Sequence, residues 1–87
     1  MKRYRNAKYL AWVRSLPCSM CGGEAGQAHH IIGVGKMSGM GLKAPDWAVM
    51  PVCGMCHGIV HSMPIHWDNQ WEFITRTLGK AVEEGVL

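Results

Sequence analysis

Apolar residues recur at helical spacing between Tyr4 and Leu16, where Ala7, Leu10, Ala11 and Val13 fall with no Gly or Pro among them, and Pro17 ends the run. This predicts an N-terminal helix. Gln27 to Ile32 is short, contains β-branched residues and stops at Gly33, which suits a strand. From Gly33 to Asp46 neither period survives and Gly33, Gly35, Gly39 and Gly41 follow in quick succession, so the segment reads as a long loop, of a length that in compact domains is usually functional or disordered. Trp47 to Val52 is a second strand-like run. Cys53 to Met63 then sets Cys56, Ile59, Val60 and Met63 on one helical face, and after Pro64 the residues Trp67, Trp71, Ile74 and Leu78 predict a last helix that ends at Gly79. The expectation is a single small α+β domain over 1–87: a basic helix over 1–16, a strand-loop-strand-helix core over 17–62, and a helical segment over 63–87.

Length and composition make that core thin. At 87 residues, with 48% hydrophobic but only 8% aromatic residues, the chain buries too little surface to be secure on packing alone. A staple is expected. Met1-Lys2-Arg3-Tyr4-Arg5 carries no apolar stretch or cleavage site of a secretory leader, so the expected compartment is the reducing cytoplasm, where paired Cys-x-x-Cys motifs point to metal rather than disulfides. No apolar run approaches membrane-spanning length. Cys18-x-x-Cys21 leads into Gly22-Gly23, a tight knuckle, and Cys53-x-x-Cys56 opens the helix after the second strand. Together they have the spacing of a four-cysteine structural zinc site. A redox motif would explain one pair and leave the other idle.

Four of the five histidines are grouped: His29 and His30 adjoin, His57 follows Cys56, and His61 comes four residues later on the same helical face. A second metal held by His29, His57 and His61 would keep positions open for water and a phosphate oxygen, unlike the closed cysteine site. His30 would then be free to act as general base. Neighbours on an ideal strand point to opposite faces, so both histidines serve one site only at a twisted or terminating strand end, and residue order alone leaves their two jobs exchangeable.

Charge adds a possible partner. Residues 1–43 carry Lys2, Arg3, Arg5, Lys8, Arg14, Lys36 and Lys43 against Glu24 alone, a balance of +6, while the remainder is −3. Lys2, Arg3, Arg5, Lys36 and Lys43 are the candidates for contacting nucleic-acid phosphates. Charge alone does not separate such a face from a merely solvated one. Trp12, Trp67 and Trp71 are expected in the core, and no recognition helix or stacking platform that would read base sequence is evident.

The frame Cys18-x-x-Cys21, His29-His30-Ile31-Ile32, Asp46, Cys53-x-x-Cys56-His57-x-x-x-His61 resembles the HNH endonucleases, also called ββα-metal or His-Me finger nucleases. The stretch Gly39-Met-Gly-Leu-Lys-Ala-Pro-Asp46 is more narrowly similar to the phage recombination-associated nucleases of the Ref type and their prophage relatives. The resemblance implies a zinc-stapled ββα hairpin-helix core with flanking helices, and metal-dependent hydrolysis of phosphodiester bonds, most naturally in DNA. It assigns His30 as general base and His29, His57 and His61 as ligands of a catalytic Mg2+, Mn2+, Zn2+ or Ni2+. It also implies a phage- or prophage-encoded protein acting in the cytoplasm of a bacterial host, with a recombinase filament as a potential partner. Asp46 stands where many members have a loop-bracing Asn; ionised, it accepts hydrogen bonds but cannot donate them. The competing expectation is a non-catalytic zinc-binding module that binds nucleic acid or a recombination protein.

Overall fold

Asn6 starts the first helix, its side-chain oxygen accepting from the Tyr9 amide at 3.0 Å, and α1 runs Ala7–Arg14. The computed structural model describes residues 4–33 and 43–87. Strand β1 (Gln27–His30) pairs antiparallel with β2 (Val49–Val52), with His29 opposite Met50 and His30 opposite Val49. Ile31 continues the ladder by donating to Ala48 at 3.0 Å. Pro51 in β2 has no N–H to give, and its carbonyl accepts instead from Ser19 of the first cysteine knuckle at 2.8 Å. The edge that proline leaves open is thereby tied to the knuckle. Helix α2 (Gly54–Ser62) follows, then a short 3-10 turn over Pro64–His66 and the long helix α3 (Asn69–Glu83). The described residues form a small α+β arrangement of three helices and one two-stranded antiparallel sheet.

The hairpin is covered on both faces. Met50 and Val52 pack with Ile31, Val60 and Ile74 towards α2 and α3, whereas Val49 joins Tyr9, Val13 and Ala81 beneath α1. Alternation along β1 therefore sends His29 to the α2 face and Ala28 and His30 to the α1 side. No described helix is long and apolar enough to cross a membrane.

Two sequence expectations about the last helix are corrected. Trp67 does not belong to it: the residue caps the 3-10 turn, and its indole N–H donates to the Val60 carbonyl at 2.9 Å. Its ring lies against Gly33, whose φ of +76° already favours glycine and where a Cβ would sit 2.0 Å from the Trp67 ring. Gly33 is thus a contact residue as well as a strand stop. Nor does Gly79 end α3. The helix continues to Glu83 and closes in a Schellman motif at Gly85 (φ +75°), with Val86 N–H bonded to Ala81 O at 2.8 Å. Gly79 stays helical because nothing at an exposed interior position forbids it. A Cβ there meets no atom within 4 Å, so Gly79→Ala is expected to stabilise the chain by about 0.5–1 kcal/mol, a rise of several degrees in thermal midpoint.

Candidate functional site

The first knuckle is folded by its own backbone. Gly22 (φ +80°) lets its N–H reach the Cys18 carbonyl at 2.9 Å while the Cys18 N–H bonds Gly23 O at 2.7 Å, turning both thiols the same way. The second pair uses a helix start: Cys53 is the N-cap of α2, and its Sγ accepts from the Cys56 amide at 3.4 Å. All four cysteines are free thiols, and their sulfurs lie within 4.8 Å of one another, Cys21 and Cys53 at 3.8 Å. Thiolates around a tetrahedral ion with bonds of about 2.3 Å stand about 3.8 Å apart, so the group could hold one metal ion. Burial opposes ionisation of Cys18, but backbone N–H groups of Cys21, Cys53 and Met20 outweigh it and bring the thiol down to about 6. Burial and the neighbouring thiols push Cys56 up to about 12. Four thiolates cannot share this space unless a cation compensates them.

The second cluster sits between β1 and α2. His29, His57 and His61 each offer a ring nitrogen, all within 4.8 Å of one another, and their ring centroids are 4.9–5.1 Å apart. His29 is fully buried, His57 half-buried and His61 exposed in the last turn of α2. The triad is open on one side. Burial first, and then repulsion from His57, His61 and His30 against a supporting hydrogen bond from Gln70, hold His29 at about 4. His57 is lowered by burial and by His61. Both imidazoles are therefore neutral at pH 7, the form that ligates metal.

That shift also predicts a pH dependence in the absence of a metal on the triad. Between about 4 and the ordinary 6.5 the unfolded chain binds a proton that folded His29 refuses, so stability is fully present above 6.5 and is lost as pH falls to about 4. Urea melts of wild type and His29→Gln at a series of pH values should show this component, on the order of 3 kcal/mol, fading over that window in wild type only.

His30 ends β1 and is held differently. Its Nε2 lies 2.8 Å from Asp46 Oδ1, while Asp46 also accepts from Arg5 Nη1 at 3.0 Å and, through Oδ2, from the Asn6 N–H at 2.7 Å. Asp46 is buried, which disfavours its charge, but the bonds from His30, Asn6 and Arg5 prevail and hold its carboxyl below the usual carboxylate range. Every one of these partners is a donor. Asp46 ties Arg5, Asn6 and His30 together by accepting alone.

A family model described as Protein of unknown function (DUF968) matches residues 1–85. The chain belongs to the DUF968 family. It is similar to the uncharacterized protein YdfU of Escherichia coli K12, 37% identical over 90 residues that include 99% of this chain and 26% of that relative. The chain thus spans about a quarter of the length of the curated relative it matches. No solved structure matches.

Within this DUF968 chain the expected site residues fall into three groups. The four cysteines come together, as do His29, His57 and His61, while His30 pairs with Asp46. Of the basic residues, Lys43 is exposed. Arg5 bonds Ala44 O at 2.7 Å and Lys43 O at 3.3 Å besides Asp46 while its side chain stays about half exposed, so it braces Asp46 and remains open to solvent. Lys2, Arg3 and Lys36 lie outside the described residues, as does the Gly39–Leu42 part of the stretch similar to Ref. Two glutamines escaped the sequence analysis. Gln27, on the same strand face as His29, faces His57 Nδ1 at 2.6 Å, and buried Gln70 faces His29 Nε2 at 2.8 Å. Gln27 was visible as a same-face neighbour two residues before His29; Gln70, far along the chain on α3, gave no local signal.

Proposed function

We propose that this DUF968 chain is a metal-dependent endonuclease of the HNH type, in which zinc on Cys18, Cys21, Cys53 and Cys56 supports a ββα core and the histidines carry the chemistry. The observation that supports it best is the pairing of an open three-histidine cluster with a carboxylate-held histidine on the adjoining strand residue. The Asp46 carboxylate can only accept, so His30 Nε2 carries the proton and Nδ1 keeps its lone pair. That nitrogen takes a proton from water, whose oxygen attacks phosphorus as the bond to the departing 3′ oxygen breaks. A divalent metal such as Mg2+, Mn2+, Zn2+ or Ni2+ on His29, His57 and His61 would supply charge neutralisation at the phosphate and at that oxygen. Asp46 and Arg5 hold His30, and exposed Lys43 is a candidate for flanking phosphates. DNA is the favoured substrate, with action in phage or prophage recombination in a bacterial cytoplasm and a recombinase filament as potential partner, following the similarity to Ref.

The test is nicking of supercoiled plasmid by the zinc-loaded chain. Cleavage is expected with added Mn2+ or Mg2+ and not with a chelator. If no divalent metal, with or without a recombinase filament on the DNA, produces nicks, the enzyme reading fails and a non-catalytic zinc-binding module replaces it.

A further inference from the structure

We propose that Gln70 is the positioning residue of the histidine cluster, its buried amide fixing His29 so that Nδ1, and not Nε2, faces the metal shared with His57 and His61. The inference rests on the metal-site reading above and deepens it. A side-chain amide carries one acceptor oxygen and one donor nitrogen, and which end is which normally rests on its partners. Here the partners decide. The amide nitrogen lies 2.7 Å from the Ile32 carbonyl and 2.9 Å from the Trp67 carbonyl, groups that only accept. The oxygen accepts from the Ile32 N–H at 3.0 Å, a group that only donates. Reversing the amide would break all three bonds.

The oxygen so fixed stands 2.8 Å from His29 Nε2. That nitrogen must be the donor. A neutral imidazole has one N–H, so the lone pair is on Nδ1. Gln70 is completely buried near the start of α3, and the same amide pins the backbone leaving β1 at Ile32 to Trp67, two residues before α3, so ring and scaffold are locked together. His57 is held through its other nitrogen, Nδ1 facing Gln27 Oε1 at 2.6 Å, which leaves Nε2 free. The cluster therefore pairs an Nδ1 donor from the strand with an Nε2 donor from the helix. Both supporting groups are neutral amides. Carboxylates in their place would make the ligands more basic and offset the metal's charge; the amides leave that charge available to an anionic ligand.

The experiment uses the zinc-loaded chain and Co2+ as probe, with no cleavage readout. Wild type should bind one equivalent of Co2+ beside its zinc; Gln70→Met, close in shape but without hydrogen bonds, should bind it about 10- to 100-fold more weakly while the thiolate-bound zinc and helical content persist. Gln70→Glu keeps an oxygen that accepts from His29 and, as the neutral acid, can donate its O–H to the Ile32 or Trp67 carbonyl, so it should recover part of that affinity, which a packing role would not explain. Independently, long-range 1H–15N correlations of wild type above pH 7, before Co2+ is added, should show His29 as the Nε2–H tautomer with a slowly exchanging proton. Unchanged Co2+ affinity in folded Gln70→Met, an Nδ1–H His29, or no Co2+ bound beside the zinc in wild type each overturns the proposal, and if Gln70→Met does not fold the tautomer decides. A chain that passes these tests yet never nicks DNA would sink the nuclease reading and leave Gln70's role standing.

Discussion

Cys21→Ala is expected to unfold the chain, not to leave a folded domain that has merely lost activity. Cys21 is the informative ligand because it is exposed, whereas Cys18 and Cys56 are built into the main apolar cluster with Ala25, Ile31 and Val52. Truncating a buried cysteine would mix a packing defect with the loss of a ligand; truncating Cys21 removes a sulfur and leaves no cavity. Structural zinc contributes on the order of 10 kcal/mol to small domains of this kind, comparable with the whole stability of a typical domain. The remaining hairpin is short, and its partly open edge depends on the knuckle through the Ser19–Pro51 bond of 2.8 Å. Loss of the ion should therefore release the knuckle, the edge of β2 and the start of α2 in one step. Far-UV dichroism during titration with a strong chelator, and of Cys21→Ala directly, should show the loss of the cooperative melt. A metal-free variant that melts like wild type would refute the staple.

The parts of this architecture that could be read from the chain are those fixed by short-range rules. The spacing within Cys18–Cys21, Cys53–Cys56 and His57–His61 is a statement about one turn of backbone, and each pair is found where that spacing puts it. The helix ends were less legible. Gly79 and Gly85 are equally good local stop signals, and α3 passes the first because its stripe Gln70, Ile74, Thr77 and Ala81 is still burying side chains beyond it. Trp67 shares the spacing of Trp71 and Ile74 but is captured by the Val60 carbonyl and the face of Gly33, a tertiary contact no periodicity could announce. The same applies to Arg5, whose ion pair with Asp46, 41 residues away, no local pattern announces.

His30→Ala should abolish nicking while leaving zinc content and Co2+ binding at the histidine triad close to wild type, with the lost bond to buried Asp46 costing about 1–3 kcal/mol of stability. The ring is half-buried on the α1 side of the hairpin and is bonded to Asp46, so its removal separates proton transfer from metal binding. General-base catalysis typically contributes 10²- to 10⁴-fold, and the rate should fall by about that much. Asp46→Asn makes the finer distinction. An Asn has one acceptor oxygen: kept towards the Asn6 N–H, it turns its NH2 towards Arg5 and His30, the partners of Oδ1, and the ring would then need Nε2 as an acceptor with its proton on Nδ1, the nitrogen that must receive one. The expected result is a rate loss of about tenfold or more with unchanged metal affinity, together with a lower melting temperature from the Arg5 bond given up. Asp46→Ala should cost more in stability than in anything specific to His30, since it also strands the Arg5 guanidinium and the Asn6 N–H, bonded at 3.0 and 2.7 Å. Full nicking activity in His30→Ala, measured with Mn2+ on supercoiled plasmid, would remove His30 from the chemistry and with it the role given to Asp46.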